Sequence, residues 1–217
     1  TFSADHSALL LQQARLRRRA AGKFPHAQRM YFIEEALEQA THHDIAAERA
    51  RALALNAAPG AWLDLGCGIG GDLIALAHHR PIFGYELDPL RAAFARANVA
   101  AAGTPNPVQV YQQDWVAALD GGTLPAASAA FVDPARRVKS GGASKRIFSL
   151  HAMQPPIEAI QRLAQQVPLI AVKVMPSVPD GEIPHGWSAQ FVSHDGVCKE
   201  GVLWWGLQGQ PCRWATV

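Results

Sequence analysis

The sequence has no apolar run approaching the roughly 20 residues that a membrane-spanning helix requires, so no membrane partner is expected. It has three cysteines, Cys67, Cys198 and Cys212, an odd number without CxxC spacing. That argues against a disulfide framework or a thiolate zinc site, and points to a reducing compartment, the cytoplasm. The nine histidines, His42–His43 and His78–His79 among them, show no metal spacing tied to a carboxylate and read as surface or cap residues, so no metal is expected. A signal peptide is not expected either: the apolar patch Leu9–Leu11 is followed by arginines and no cleavage signature. Net charge is small, 20 − 18 = +2, and does not by itself imply a nucleic-acid partner. Internal repeats and low-complexity tracts are lacking.

What is present suits one α/β domain with an added helical element: 217 residues, 49% hydrophobic. Residues 1–56 are rich in Ala, Leu, Arg, Gln and Glu and read as a helical extension, with breaks at Gly22–Pro25 and around Thr41. Thr41 is the expected cap of a helix running to Asn56, with Asp44 in the capping-box position. From residue 57 to 217 the pattern alternates short apolar runs with amphipathic stretches, as a parallel sheet with crossover helices requires. Strands are expected at 61–65, 81–86, 108–112, 129–133 and 168–174, with helices at 71–79, 89–102 and 152–166. Two last strands, 187–193 and 200–207, flank the turn-rich His194–Lys199 and read as a hairpin, completing a seven-stranded Rossmann-like sheet.

Between the first strand and helix lies Asp64-Leu65-Gly66-Cys67-Gly68-Ile69-Gly70-Gly71-Asp72. Gly66, Gly68 and Gly71 satisfy the dinucleotide pattern GxGxxG, whereas Gly66, Gly68 and Gly70 satisfy the GxGxG of methyltransferases. Glu86 does not separate the two, because an acid about 20 residues on can bind a ribose hydroxyl in either case. Asp64 favours the second: it places a carboxylate where an ammonium group would sit and a pyrophosphate would be repelled. Asp114 ends the third strand, where it can accept from an adenine amino group, and Trp115 follows as a surface for the ring. Asp133 ends the fourth. Acids at successive carboxyl ends of strands lie where open α/β sheets bind ligands.

The stretches WLDLGCGIGGDLIALA, GYELDPLRAAFARAN, QQDW and FVDPARR resemble the successive motifs of class I S-adenosylmethionine-dependent methyltransferases. More closely, KFPHAQRMYFIEEALEQATHHDIAAERA, VKVMPSV and DGVCKEGVLWWG…RWATV resemble bacterial methyltransferases with a THUMP-like domain, with a weaker likeness to trimethylguanosine cap synthases. The resemblance implies S-adenosylmethionine as cofactor. It implies that Glu86, with Leu87 beside it, meets the ribose, Asp114 the adenine, and Gly66, Cys67, Gly68 and Gly70 the methionine moiety. It further implies that the segment around Thr41 closes over the cofactor, and that a further RNA-binding domain belongs after the final strand.

Asp133-Pro134-Ala135-Arg136-Arg137 resembles the (Asp/Asn)-Pro-Pro-(aromatic) motif of amino methyltransferases acting on bases, with Ala135 for the second proline and Arg136 for the aromatic. A carboxylate and a backbone carbonyl there accept from an exocyclic amine and aim its lone pair at the methyl group, positioning that supplies most of the acceleration. Asp133, Pro134 and Arg136 are the candidate catalytic residues. An arginine can stack on a base or grip a phosphate. Residues 131–146 carry Arg136, Arg137, Lys139, Lys145 and Arg146 against Asp133, and Arg137, Lys139 and Lys145 are the candidate RNA-backbone contacts. Uridine C5 methylation needs a cysteine after the fifth strand, where the sequence reads Lys173-Val174-Met175-Pro176-Ser177. The reading is methyl transfer to a nitrogen of an RNA base. A small-molecule methyltransferase, a non-catalytic RNA-binding module and a dehydrogenase are the rivals.

Overall fold

In the computed structural model residues 3–135, 137–140, 143–146 and 149–217 are described, the segments 137–140 and 143–146 as backbone only. Ser3 caps the first helix, α1 (Ala4–Ala20), and Leu16 and Ala20 turn inward from it. Two shorter passages follow, α2 (Glu34–Gln39) and α3 (His43–Asn56). The expected cap of α3 is corrected here. His42, not Thr41, occupies the cap and accepts from the Asp44 amide at 3.3 Å, which frees Thr41 to face the sheet.

The strand–helix alternation then runs β1 (Trp62–Leu65), α4 (Gly71–Ala77), β2 (Ile82–Glu86), α5 (Pro89–Ala102), β3 (Val108–Gln112), α6 (Trp115–Asp120) and β4 (Ala129–Val132). Helix α5 shows how local chemistry sets an element. Asp88 caps it by accepting from the Arg91 amide at 2.8 Å, Pro89 stands in its first turn, and Gly103 ends it at φ +67. A short antiparallel ribbon, β5 (Arg137–Ser140) with β6 (Ala143–Arg146), occupies the region read from sequence as a loop. Pro155 and Pro156 delay the next helix, α7 (Ile157–Leu163), which is shorter than the 152–166 expected. Strands β7 (Leu169–Val174), β8 (Ser188–His194), β9 (Val197–Trp205) and β10 (Arg213–Thr216) complete the sheet. The turn between β8 and β9 is only Asp195-Gly196, both at positive φ, the pair a tight hairpin favours.

The sheet has eight strands, one more than expected, in the order β10-β8-β9-β7-β4-β1-β2-β3. The addition is β10, which pairs parallel with β8, while β9 runs antiparallel between β8 and β7. Strands β1 and β4 are buried at every residue, as a parallel sheet covered on both faces requires. Helices α3, α4 and α5 cover one face, with Ile45, Leu53, Leu73, Leu76 and Ala95 against Trp62 and Phe131. On the other, α6 and α7 bring Trp115, Leu119, Ile160 and Leu163 against Leu63, Leu65 and Val172. A smaller cluster joins Leu16, Phe24, Met30 and Phe32 of the helical extension to Ile69 of the glycine loop. No described helix is long and apolar enough to cross a membrane.

Candidate functional site

From β1 the chain winds outward to β2 and β3, then returns to β4 on β1's other side. That reversal leaves a crevice beyond the carboxyl ends of β1 and β4, the place where open α/β sheets take ligands. The glycine loop lies there. Gly66, Gly68 and Gly70 have φ of +91, +56 and +89, whereas Gly71 begins α4 without a positive φ. The backbone therefore uses the GxGxG spacing. At Gly66 a Cβ would come within 2.7 Å of the Asp133 carbonyl oxygen, so this glycine lets the ends of β1 and β4 close together. The loop is braced by Glu86, whose two oxygens accept from the Gly68 and Asp88 amides, each at 2.9 Å.

Asp64, between Gly84 of β2 and Phe131 of β4, is fully buried, and neither of its carboxylate oxygens has a hydrogen-bond partner among the described residues. Burial pushes its pKa well above the ordinary carboxylate range, and Asp72 and Asp133 add to the rise. Other charges in this region are paired. Arg49 of α3 binds both Asp72 and Glu200, all three buried, with its guanidinium 4.2 Å from the Phe131 ring centroid. Desolvation opposes the charge on Arg49, but the two carboxylates outweigh it and hold the pKa above its usual value. Lys173 of β7, only 3% exposed, donates to Asp133 Oδ2 at 2.7 Å and to Thr41 Oγ1 at 3.0 Å. Lys23 donates to the Leu37 and Glu38 carbonyls at 2.8 and 3.3 Å, and desolvation, aided by Lys173, lowers its pKa to about 8.

The structure thus brings Thr41, Asp64, the glycine loop and Asp133 to one end of the sheet. Pro134 is buried, and Ala135 is pinned by paired backbone bonds to Gln154, at 2.8 and 3.2 Å. Cys67 is buried, and burial raises its thiol pKa well above the ordinary value, which suits a small loop residue rather than a nucleophile. Leu87 is exposed at the end of β2. Asp114 caps α6, accepting from the Val116 amide at 2.8 Å. Trp115 is 6% exposed and belongs to the main core, so the free ring surface expected of it is corrected to a packed one. Arg136 lies outside the described residues, as do the side chains of Arg137, Lys139 and Lys145, whose backbone forms the β5–β6 ribbon.

Sequence reasoning missed Lys173, Arg49, Asp72, Glu200 and Asn98. A lysine within the apolar run of β7 is a signal in itself, because an unpaired charge there is too costly to keep. Asn98, fully buried on α5, accepts from the Tyr31 amide at 2.7 Å and donates to the Tyr31 and Ile69 carbonyls at 3.0 and 2.8 Å. It ties the helical extension to the glycine loop.

No family model matches the chain. An uncharacterised S-adenosylmethionine-dependent methyltransferase of Mycobacterium tuberculosis, from strains CDC 1551 and H37Rv alike, is 31% identical over 220 residues, covering 96% of this chain and 57% of the relative. The chain therefore spans little more than half the length of these curated relatives. A crystal structure of a candidate methyltransferase from Porphyromonas gingivalis W83 superposes with a TM-score of 0.77 at 19% identity, over 96% of this chain and 52% of that one. A candidate rRNA methylase from Clostridium thermocellum gives a TM-score of 0.51 at 12% identity, over 72% and 94%. At such identities the structural likenesses speak to fold.

Proposed function

The chain has the Rossmann-like fold of class I S-adenosylmethionine-dependent methyltransferases, and from that premise we propose that it transfers the methyl group of S-adenosylmethionine to a nitrogen of an RNA base. The observation that carries the cofactor reading is Asp64. A buried carboxylate with no hydrogen-bond partner among the described residues, beside a glycine loop, fits an ammonium group and is ill suited to a pyrophosphate. The methionine end of S-adenosylmethionine carries such a group. Bound there, S-adenosylmethionine would supply a sulfonium methyl to the acceptor's lone pair, with the carbon–sulfur bonding pair leaving on sulfur.

The chain's own groups then have distinct work. The 66–70 backbone and Asp64 hold the methionine end, and Glu86, already bracing the loop, has acceptor capacity left for ribose hydroxyls. Leu87, exposed just after Glu86, would flank the ribose, and Asp114 the adenine. With Oδ2 taken by Lys173, Asp133 keeps Oδ1 for one N–H of the acceptor, and receives that direction as a fixed carboxylate rather than a rotating one. The buried Pro134 and the pinned Ala135 stiffen the motif on its far side. Thr41, bonded to Lys173, links the helical extension to the same point.

The RNA reading is supported by the Asp-Pro motif, by the basic residues Arg136, Arg137, Lys139 and Lys145 next to it in sequence, and by the rRNA methylase named among the fold neighbours. The test is incubation of bulk bacterial RNA with methyl-labelled S-adenosylmethionine, followed by nucleoside mass spectrometry. Label should appear on a base nitrogen with the wild type and vanish with Asp133→Ala, while cofactor affinity stays within a few-fold. Label in small molecules alone would overturn the RNA reading, and normal turnover by Asp133→Ala would overturn the role of Asp133.

A further inference from the structure

Apart from that site, the start of α3 and the β8–β9 turn gather imidazoles around one carboxylate. His43 Nε2 lies 3.0 Å from Asp44 Oδ1, while His42 Nδ1 and His194 Nε2 lie 3.4 and 3.8 Å from Asp44 Oδ2. The donor atoms of His42, His43 and Asp44 are all within 4.8 Å of one another. The His42 ring centroid is 4.7 Å from that of His43 and 4.4 Å from that of His194, and Asp195 Oδ2 is 3.6 Å from His194 Nε2. His42 is the cap of α3, in line with the sequence reading of these histidines as surface or cap residues, and the fold in addition sets His43 and His194 beside the Asp44 carboxylate.

We propose that His42, His43 and Asp44 form a Zn²⁺ site, with His194 closing the fourth position. Imidazole and carboxylate donors suit zinc, and tetrahedral bonds of about 2.0–2.1 Å put ligand atoms about 3.4 Å apart. His42 Nδ1 and His194 Nε2 stand 3.4 and 3.8 Å from the same Asp44 oxygen, Oδ2, near that spacing, and His43 Nε2 stands 3.0 Å from the other. His42 is already oriented as a ligand. Its Nε2 lies 2.7 Å from the Gly22 carbonyl, which takes the ring's N–H and leaves the Nδ1 lone pair facing Asp44. An outer carbonyl of this kind commonly fixes the tautomer of a metal-bound histidine. On the metal, Nδ1 gives up its 3.3 Å bond from the Asp44 amide, a long one. The positive end of α3 disfavours a cation, and the Asp44 and Asp195 carboxylates offset it. Partial exposure of His42, His43 and His194 leaves an entry path. The metal would fasten the segment bearing Thr41 to the β8–β9 turn, a structural role separate from methyl transfer.

Calorimetric titration of the chelator-treated protein with Zn²⁺, with Mg²⁺ as control, tests the proposal. A single Zn²⁺ per chain should bind, and Mg²⁺ should not. Asp44→Asn, which keeps side-chain shape, and His194→Gln should each weaken Zn²⁺ at least about tenfold, on the scale typical of changes around metal sites. His78→Gln should leave affinity unchanged. Co²⁺ in place of Zn²⁺ should give the intense visible bands of a tetrahedral centre, lost in His43→Gln. Failure of the wild type to bind stoichiometric Zn²⁺, or equal affinity in Asp44→Asn and His194→Gln, would overturn the site.

Discussion

Lys173 reaches from β7 to the end of β4 and donates to Asp133 Oδ2 at 2.7 Å, joining a buried cation to the one carboxylate that ends β4. The bond fixes the orientation of the carboxylate and leaves Oδ1 free, and the ammonium's second bond carries that order to Thr41. In the proposed reaction Lys173 would be a positioning residue, acting through Asp133.

Lys173→Met is expected to cut kcat about a hundredfold, the scale of a misplaced catalytic group. Affinity for S-adenosylmethionine should change only a few-fold. Because Asp133 is partly exposed, the cost to stability should stay at about 1–3 kcal/mol, below that of breaking a fully buried pair. Single-turnover rates alongside cofactor calorimetry read the two effects separately. A rate loss matched by an equal loss of cofactor affinity would move Lys173 to the cofactor side.

Asp64 carries a pH signature. Its folded-state pKa is raised, chiefly by burial, so the folded protein keeps a proton that the unfolded chain releases. The stability this contributes is fully present below the ordinary carboxylate range and is lost as pH rises toward the raised value. Asp64→Asn should remove that loss, giving urea midpoints that fall less between about pH 5 and about pH 8 than the wild type's. Cofactor affinity should drop in the same variant. If the bound ammonium ionises Asp64, binding to the wild type releases a proton, visible as buffer-dependent enthalpy, and binding to Asp64→Asn does not. Identical buffer dependence in both proteins would count against the assignment.

Arg49 predicts a large stability effect with a specific rescue. Arg49→Met leaves Asp72 and Glu200 buried without their partner, a change worth about 3–5 kcal/mol. Adding Asp72→Asn and Glu200→Gln removes the stranded charges and should recover most of that loss. Urea denaturation measures both steps. A single variant within about 1 kcal/mol of wild type would mean that the triad contributes little.

The glycine loop, the helix 89–102 and the acids at the carboxyl ends of the strands were legible because their signals are local. A strand, a turn and a helix start lie within a dozen residues, and side-chain period distinguishes them. Even there, the glycines alone did not decide the spacing, since both patterns occur together; Asp64 favoured GxGxG, and the positive φ of Gly66, Gly68 and Gly70 agrees. The eighth strand, Arg213–Thr216, escaped because four residues after a stretch of Gly and Pro carry too little pattern. The β5–β6 ribbon escaped because its residues are mostly basic and polar, and were read as candidate RNA-backbone contacts rather than as strands.

The α/β alternation and the place of the crevice follow from hydrophobic period and short-range turn chemistry, and the cofactor class was legible in the strand-end carboxylates and the motifs they resemble. Tertiary structure alone decided what surrounds the crevice. Arg49 meets Glu200 across 151 positions and Lys173 meets Thr41 across 132, distances over which sequence spacing carries no register. The same is true of His194, which joins His42–Asp44 only because β8 ends beside the start of α3. A buried charge must find its counter-charge wherever packing puts one, and packing is set by the whole sheet rather than by any neighbouring stretch of chain.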